Sequence, residues 1–367
     1  EEVEVKNTEM KSEFAEYIES KEVSEVEPQV IEFGEDVIIE DANDAFVMYS
    51  SKNPYNNIFN LRIMYNYGLY NNPDLDKADY LWSMFGTESR TYEEFELELQ
   101  KMGAYVTTNV SGGSTILYIS GFEENLDRIL SLCEDKIFNV KYDESKMELL
   151  VEEQKAAEKL MKTSPDSWGN ALYEYVIYGD KSNYLNKTPM KEWAKRNPDD
   201  ILADFKEIFN YGGNVVFTGN IDTKEVIEML NSHNIIKNDA IKTERKIRKP
   251  NVVENNMVYF IHSKKLRQSN IEIYVQGEKL NKKEEAVSNV FNKYFGTDMY
   301  SIVFQEIREL RSLGYSAYSY YSYDYLNRYP GCLYAYLGTQ SDKTNEAVDA
   351  MLELIVNMPE KMEKFKK

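Results

Sequence analysis

Beyond about residue 250 the chain repeats, in order, the landmarks of its first part. Phe46-Val47-Met48-Tyr49 is echoed by Met257-Val258-Tyr259-Phe260, and the strand-like run ending at Gly68 by the run 270–277. Phe85-Gly86-Thr87 is echoed by Phe295-Gly296-Thr297. The helical pattern ending Lys101-Met102-Gly103 matches the one ending Ser312-Leu313-Gly314. The strand-like run closing at Gly121 matches 332–338, and the helix around Asp127 matches the one around Asp349. These six ordered matches keep an offset near 210 residues with little drift. A period this long marks a duplicated domain, because solenoid repeats are far shorter. Each copy reads strand, strand, helix, strand, strand, helix. Short strands joined by tight turns imply antiparallel pairing, with helices packed on one face, so the expected fold class is α+β.

The copies differ in length. After the Asp127 helix the first copy continues through three helices (144–162, 168–178, 199–209), a strand at 215–219 and a short helix at 223–231. The second copy stops at Lys367, just after its matching helix. The expectation is a second domain incomplete at its C terminus, with part of its sheet and helix surface lacking cover. The division read from this pattern is an acidic connecting or hinge segment 1–36, a first domain 37–236, a basic linker 237–252 and a second domain 253–367. The first 24 residues could hold a helix with Phe14, Tyr17 and Ile18 on one face. The apolar-poor stretch Lys237–Lys249, followed by Pro250, reads as a solvated charge run.

Composition narrows the function. A length of 367 residues suits two or three domains, and 42% hydrophobic residues suffice for real cores. Acids outnumber bases 63 to 43, for a net charge of -20. That balance argues against a nucleic-acid surface, because phosphate binding needs a basic face. No apolar stretch approaches the ~18 residues of a membrane span. With Cys133 and Cys332 alone, a disulfide framework is not expected. His233 and His262 stand apart, so clustered Cys/His zinc sites are excluded; both histidines and Cys133 read as structural. No signal peptide is visible, and for a chain expected to be soluble, cytoplasm and periplasm both stay open.

Local signals add detail. Thr91 with Glu94 forms a capping-box pattern ahead of Phe95, Leu99 and Met102 at helical spacing. Ser111-Gly112-Gly113 reads as a hairpin turn; no Lys or helix comes after it to make it a phosphate loop. Val106–Val110 and Tyr318–Tyr323 are candidate sheet edges. The tyrosines at 315, 318, 320, 321, 323 and 325 could line a chamber or lie on the two faces of a buried strand.

The segment from Tyr294 to Ser316, YFGTDMYSIVFQEIRELRSLGYS, resembles the pitrilysin/insulinase family of zinc metallopeptidases, the inverzincins. There a similar stretch begins the last domain of each half and carries an Arg and a Tyr seven residues apart, here Arg308 and Tyr315. Phe85-Gly86-Thr87, then Leu99–Gly103, Thr115–Tyr118 and Asn214–Asn220 follow the order of the family's first domain. The resemblance covers roughly residues 40–367. It implies two homologous halves closing around a peptide. The catalytic half carries H-x-x-E-H just before its phenylalanine-glycine-threonine motif. In this chain the matching stretch 76–84 has no His. Counting back from Thr87 puts Lys77, Tyr80 and Leu81 at the His, Glu and His positions, and Glu152 and Glu153 near the third ligand's place. One carboxylate cannot hold a catalytic zinc, which needs about three protein ligands.

The resemblance therefore implies the non-catalytic half, with no catalytic or metal-binding residue in this chain and zinc expected in the catalytic half. The implied partners are that half, in cis or in trans, and a peptide substrate contacted by Arg308 and Tyr315. Read from the residues alone, Arg308 is a solvated charge on a helix whose apolar face is Val303, Ile307 and Leu310. An inactive homologue acting as a peptide-binding or assembly scaffold is the alternative. An enzyme built on carboxylates ranks last, because no constellation for one is visible.

Overall fold

The computed structural model describes residues 12–22, 27, 30–264 and 266–360. The first copy builds a six-stranded sheet from β1 (Ile38–Asp41), β2 (Phe46–Ser51), β3 (Ile58–Tyr65), β4 (Tyr105–Val110), β5 (Thr115–Phe122) and β6 (Gly213–Thr218), in the order β1-β2-β6-β3-β5-β4. Every pair is antiparallel except β2 with β6. The side-chain pattern explains the sheet. Along β3 the residues Phe59, Leu61, Ile63 and Tyr65 point inward and are buried while their neighbours face out, the period-two repeat of a strand. β2, β5 and β6 alternate the same way. Their inner face meets α2 (Leu75–Met84), α3 (Tyr92–Lys101) and α4 (Leu126–Phe138), which contribute Leu81, Trp82, Phe95, Leu99, Ile129 and Cys133 to one core. Each fully buried side chain of this size contributes about 1.5–3 kcal/mol. Thr91 caps α3 with both capping-box bonds formed, and Ser111–Ser114 turns the β4–β5 hairpin, its N–H and C=O 2.9 Å apart. Burial pushes the Cys133 thiol up to about 12, as a core thiol requires.

Two further helices, α5 (Glu144–Met161) and α6 (Pro165–Tyr178), come next. The second copy forms β7 (Gln268–Gln276), β8 (Ala317–Ser322) and β9 (Cys332–Gln340), ordered β7-β9-β8 and antiparallel throughout. That order repeats β3-β5-β4. Its inner face carries Ile271, Ile273, Ala335 and Leu337 against Phe295, Ile307 and the helix Thr344–Val356. Its other face is covered too. Tyr173 of α6 sets its ring edge-on to Tyr274 and Tyr334, with centroids 6.3 and 5.0 Å apart. Tyr318 and Tyr320 layer against Tyr334, and Tyr336 stacks on Tyr318. Of the tyrosine run, Tyr315 and Tyr325 stand most exposed.

Three expectations need correction. Met257–Phe260 is not a strand: residues 251–263 carry no regular structure, and Val258 is 95% exposed. In the first copy, β2 joins the sheet through β6, and among the described residues the second copy has no counterpart of β6. A strand is made by its neighbours, and apolar β-formers cannot pair alone. His262, in this stretch, is exposed and therefore not a core histidine. The basic linker is not simply solvated. Gly212 and Asn210 pair with Ile241 through backbone bonds of 3.0 and 2.8 Å, and a Cβ on Gly113 would sit 2.0 Å from the Lys246 carbonyl. Arg248 forks onto Glu174 at 2.6 and 3.1 Å with its guanidinium 3.6 Å over the Tyr178 ring. The helix expected in the acidic segment forms: α1 spans Glu13–Glu19, with Phe14, Tyr17 and Ile18 exposed. The rest of that expectation, at 1–11, 23–26 and 28–29, lies outside the described residues.

Candidate functional site

The positions that correspond to a metal motif lie on α2 and are filled by other chemistry. Lys77 is buried and its ammonium donates to Asp74 and, at 3.0 Å, to the Thr188 carbonyl. Asp74 in turn accepts the Thr188 N–H at 3.0 Å. Tyr80 donates its hydroxyl to Glu153 on α5 at 2.6 Å. Leu81 is fully buried in the core. The helix pairing that would bring a third ligand to a metal is thus present, and a phenol–carboxylate bond spans it. A fixed ammonium at one ligand position and a core leucine at another do not fit a dication, which needs about three lone-pair donors. Among the described residues no group of three or more His, Cys, Asp or Glu could hold a metal ion.

Sequence reasoning missed the surroundings of two ionisable groups, Asp79 on α2 and His233 against α4. Asp79, one position before Tyr80, is pushed up to about 6 by burial, although the Thr108 hydroxyl donating to it pulls the other way. His233, just beyond the helix Thr223–Ser232, bonds Asp127 at 2.9 Å and Glu134 at 3.1 Å. The two acids sit seven residues apart on one face of α4, and that spacing was the available signal. Burial works to lower the His233 pKa, but the two carboxylates outweigh it and the value is raised above 6.5. A raised folded-state pKa adds stability that is complete below the unfolded value of about 6.5 and is lost as pH rises through the folded one. His233→Gln should therefore lower Tm more at about pH 5.5 than at about pH 9, as scanning calorimetry at the two pH values would read. Equal losses would mean that the carboxylates do not favour the charged ring.

Arg308 and Tyr315 are brought together. Residues Phe304–Leu310 form a π-type helix, so the side chains follow a wider turn than 3.6 residues. Val303 and Ile307 face the core as expected, but Leu310 is 67% exposed, because the wider turn carries it off that face. Ser312 then takes a left-handed conformation, φ 50°, and returns Leu313 to the core. Leu313 is fixed by its own N–H to the Ile307 carbonyl at 3.0 Å and by the Thr339 hydroxyl, which donates to its carbonyl at 2.6 Å. Gly314 presses on β9: a Cβ there would lie 2.2 Å from the Gly338 carbonyl. The Gly338 N–H donates to the Ser316 carbonyl at 2.9 Å. Tyr315 is therefore pinned on both sides while its side chain stands 79% exposed. The Arg308 guanidinium lies 4.1 Å from the Tyr315 ring centroid and 4.6 Å from that of Phe304, with Nη1 donating to the Tyr315 carbonyl at 3.4 Å. Each exposed cation–π contact contributes about 0.5–1 kcal/mol. The result is an exposed phenol held by a stacked guanidinium. Arg311, by contrast, pairs with Glu353 at the surface.

The strands read as edges are edges: β4 ends the first sheet and β8 the second. No described helix is long and apolar enough to cross a membrane.

Comparisons with known proteins agree with this picture. Residues 213–365 match the family model described as the peptidase M16 inactive domain. The beta subunit of the mitochondrial-processing peptidase of Neurospora crassa is 24% identical over 140 residues, covering 35% of this chain and 29% of that protein. The chain thus spans less than a third of that curated relative. Among solved structures, a peptidase M16 inactive domain from Pseudomonas fluorescens superposes with a TM-score of 0.67 at 14% identity, covering 89% of this chain and 81% of that one. The periplasmic protease PqqL of Escherichia coli superposes with a TM-score of 0.72 at 15% identity, covering 93% of this chain and 38% of that one. Identities this low speak for fold and not for activity. The chain resembles the non-catalytic C-terminal half of the pitrilysin/insulinase peptidases, carrying the M16 inactive-domain sequence over residues 213–365 and that fold over some nine tenths of its length.

Proposed function

We propose that this chain serves as the zinc-free half of a pitrilysin/insulinase-type metalloendopeptidase, closing the peptide chamber of a catalytic half that is joined to it or binds it as a separate subunit. The observation that carries the reading is the Arg308–Tyr315 clamp. It is an exposed hydrogen-bond donor on a rigid mount, in a chain whose own metal positions hold Lys77, Tyr80 and Leu81. A phenol hydroxyl can donate to a peptide carbonyl as that oxygen gains negative charge, and a donor already fixed in place loses little entropy in doing so. Arg308 acts on Tyr315 by stacking; its Nε pairs with Glu309 at 3.3 Å, and its Nη2 would serve a second peptide carbonyl. The edges β4 and β8 would take peptide backbone as an added strand. Zinc belongs to the catalytic half in this reading and supplies the activated water there.

The test combines this chain with the H-x-x-E-H-bearing half from the same genome and follows cleavage of a fluorogenic peptide. Tyr315→Phe should lower kcat/KM by roughly tenfold to a hundredfold with the fold intact, because it removes one donor and nothing else. Arg308→Ala should lower it too, and the double variant should cost less than the product of the two. Unchanged cleavage in both single variants would reject the clamp's role and favour the scaffold alternative.

A further inference from the structure

A small pocket of about 180 Å³ lies where the basic linker meets both copies. Its walls are the β4–β5 turn, the end of α6, linker residues 245–248 and the β8–β9 connection. Four cations line it, Arg245, Lys246, Arg248 and Arg328, in a chain whose net charge is -20. Two of them are matched by carboxylates. Arg248 forks onto Glu174, and Arg328 holds Asp324 at 2.6 and 2.9 Å. Arg245 and Lys246 have no ion-pair partner among the described residues, so the walls carry two positive charges in excess. A second, independent observation comes from Arg248. Its side chain is nine-tenths buried, with 10% exposed, and Nη1 also donates to the Lys181 carbonyl and to Asn183. Its Nε–H is buried and has no partner among the described residues. Native proteins pair nearly all such donors, because an unpaired one keeps its full desolvation cost.

Three phenols complete the lining. The hydroxyls of Tyr70, Tyr178 and Tyr329 have no hydrogen-bond partner among the described residues. Burial raises the pKa of Tyr178 and Tyr329, so both stay protonated donors. The walls are held in place. The Arg248 guanidinium lies 3.6 Å over the Tyr178 ring and 5.2 Å from that of Tyr70. A Cβ on Gly112 would meet the Tyr70 ring at 2.5 Å, so the hairpin turn can press this close because it carries no side chain there. Such a pocket repels cations, and a neutral ligand leaves its excess charge unused. A flat carboxylate brings one charge and two oxygens. A tetrahedral dianion brings two charges and enough oxygens for all these donors. We propose that this pocket binds a phosphate group, as the free ion or as a small phosphomonoester. One oxygen pairs the Arg248 Nε–H, Arg245 and Lys246 balance the charge, and the phenols donate to the oxygens that remain. Both copies supply walls, so the bound group ties the β8–β9 connection to the hairpin of the first sheet. The site is separate from Arg308 and Tyr315, and its test does not depend on peptidase activity.

The probes are inorganic phosphate, O-phosphoserine and acetate, titrated into the full chain at constant ionic strength and followed by calorimetry and thermal unfolding. Inorganic phosphate or O-phosphoserine should give a saturable heat with one site per chain and raise Tm, since a ligand that binds the folded state alone stabilises it. The tighter of the two tells whether the pocket takes the free ion or the ester, and either result supports the site. The double variant Arg245→Gln/Lys246→Gln should bind at least about tenfold more weakly. Its Tm without phosphate should be unchanged, because neither side chain has an ion-pair partner to lose. No saturable binding of either phosphate compound would overturn the proposal. Acetate binding as tightly as phosphate would overturn it in favour of a carboxylate site. Phosphate affinity unchanged in the double variant would place the ion elsewhere on the chain and overturn it as well.

Discussion

Lys77→Met should lower the unfolding free energy by about 3–5 kcal/mol, the range expected when one member of a buried ion pair is removed. Lys77 and Asp74 have 9% and 11% of their side chains exposed, and both hold the backbone of Thr188, one through its carbonyl and the other through its N–H. Removing the ammonium leaves a carboxylate buried without its counter-charge. The companion variant Asp74→Leu/Lys77→Met removes both charges and should cost less than the sum of the single changes, so a urea-denaturation double-mutant cycle reads the coupling directly. A loss within about 0.5 kcal/mol for Lys77→Met, as at a surface lysine, would show that the pair is solvated and that this position of α2 is not committed to structure.

Gly296→Ala should cost about 2–3 kcal/mol, through overpacking against main chain that cannot give way. A Cβ at Gly296 would lie 2.2 Å from the Ser319 carbonyl oxygen and 2.5 Å from its nitrogen, in the edge strand β8. The matching glycine of the first copy, Gly86, meets the Arg90 carbonyl oxygen at 2.4 Å in the same sense. Neither glycine has a positive φ, so the requirement is close approach and not backbone conformation. Both phenylalanine-glycine-threonine motifs therefore mark places where a helix end is pressed onto neighbouring main chain. Thermal unfolding of Gly86→Ala and Gly296→Ala should show comparable losses in Tm; an unchanged Tm in either would remove the steric account of the motif.

These examples show which features could be read from the sequence. The duplicated order of landmarks, the capping box at Thr91, the hairpin at Ser111–Ser114 and the two edge strands follow from short-range spacing, and each has a local physical cause. The motif positions at 77, 80 and 81 could be counted, but their occupancy by an ion pair, a phenol–carboxylate bond and a core side chain depends on α5 and on Thr188, far along the chain. Met257–Phe260 has the composition of a strand and lacks the neighbour that makes one. Arg248 sits in a run whose composition suggests solvent, yet Glu174 and Tyr178 of α6 hold it. His233 gained its partners from another helix. Leu310 leaves the apolar face that a period of 3.6 predicts, because the backbone takes a wider turn there.

That wider turn has an evolutionary consequence. A π turn holds one residue more than the α turn it replaces, so it reads as a single inserted position. Deleting one residue between Phe304 and Leu310 would restore α geometry and leave the residues on either side facing nearly as they do now, because the π turn already absorbs the extra position. What the turn adds is local: it places one more side chain in the stretch before Ser312 and carries Leu310 off the buried face. Relatives with a regular helix here should thus align with a one-position gap and keep their last apolar residue on the core side.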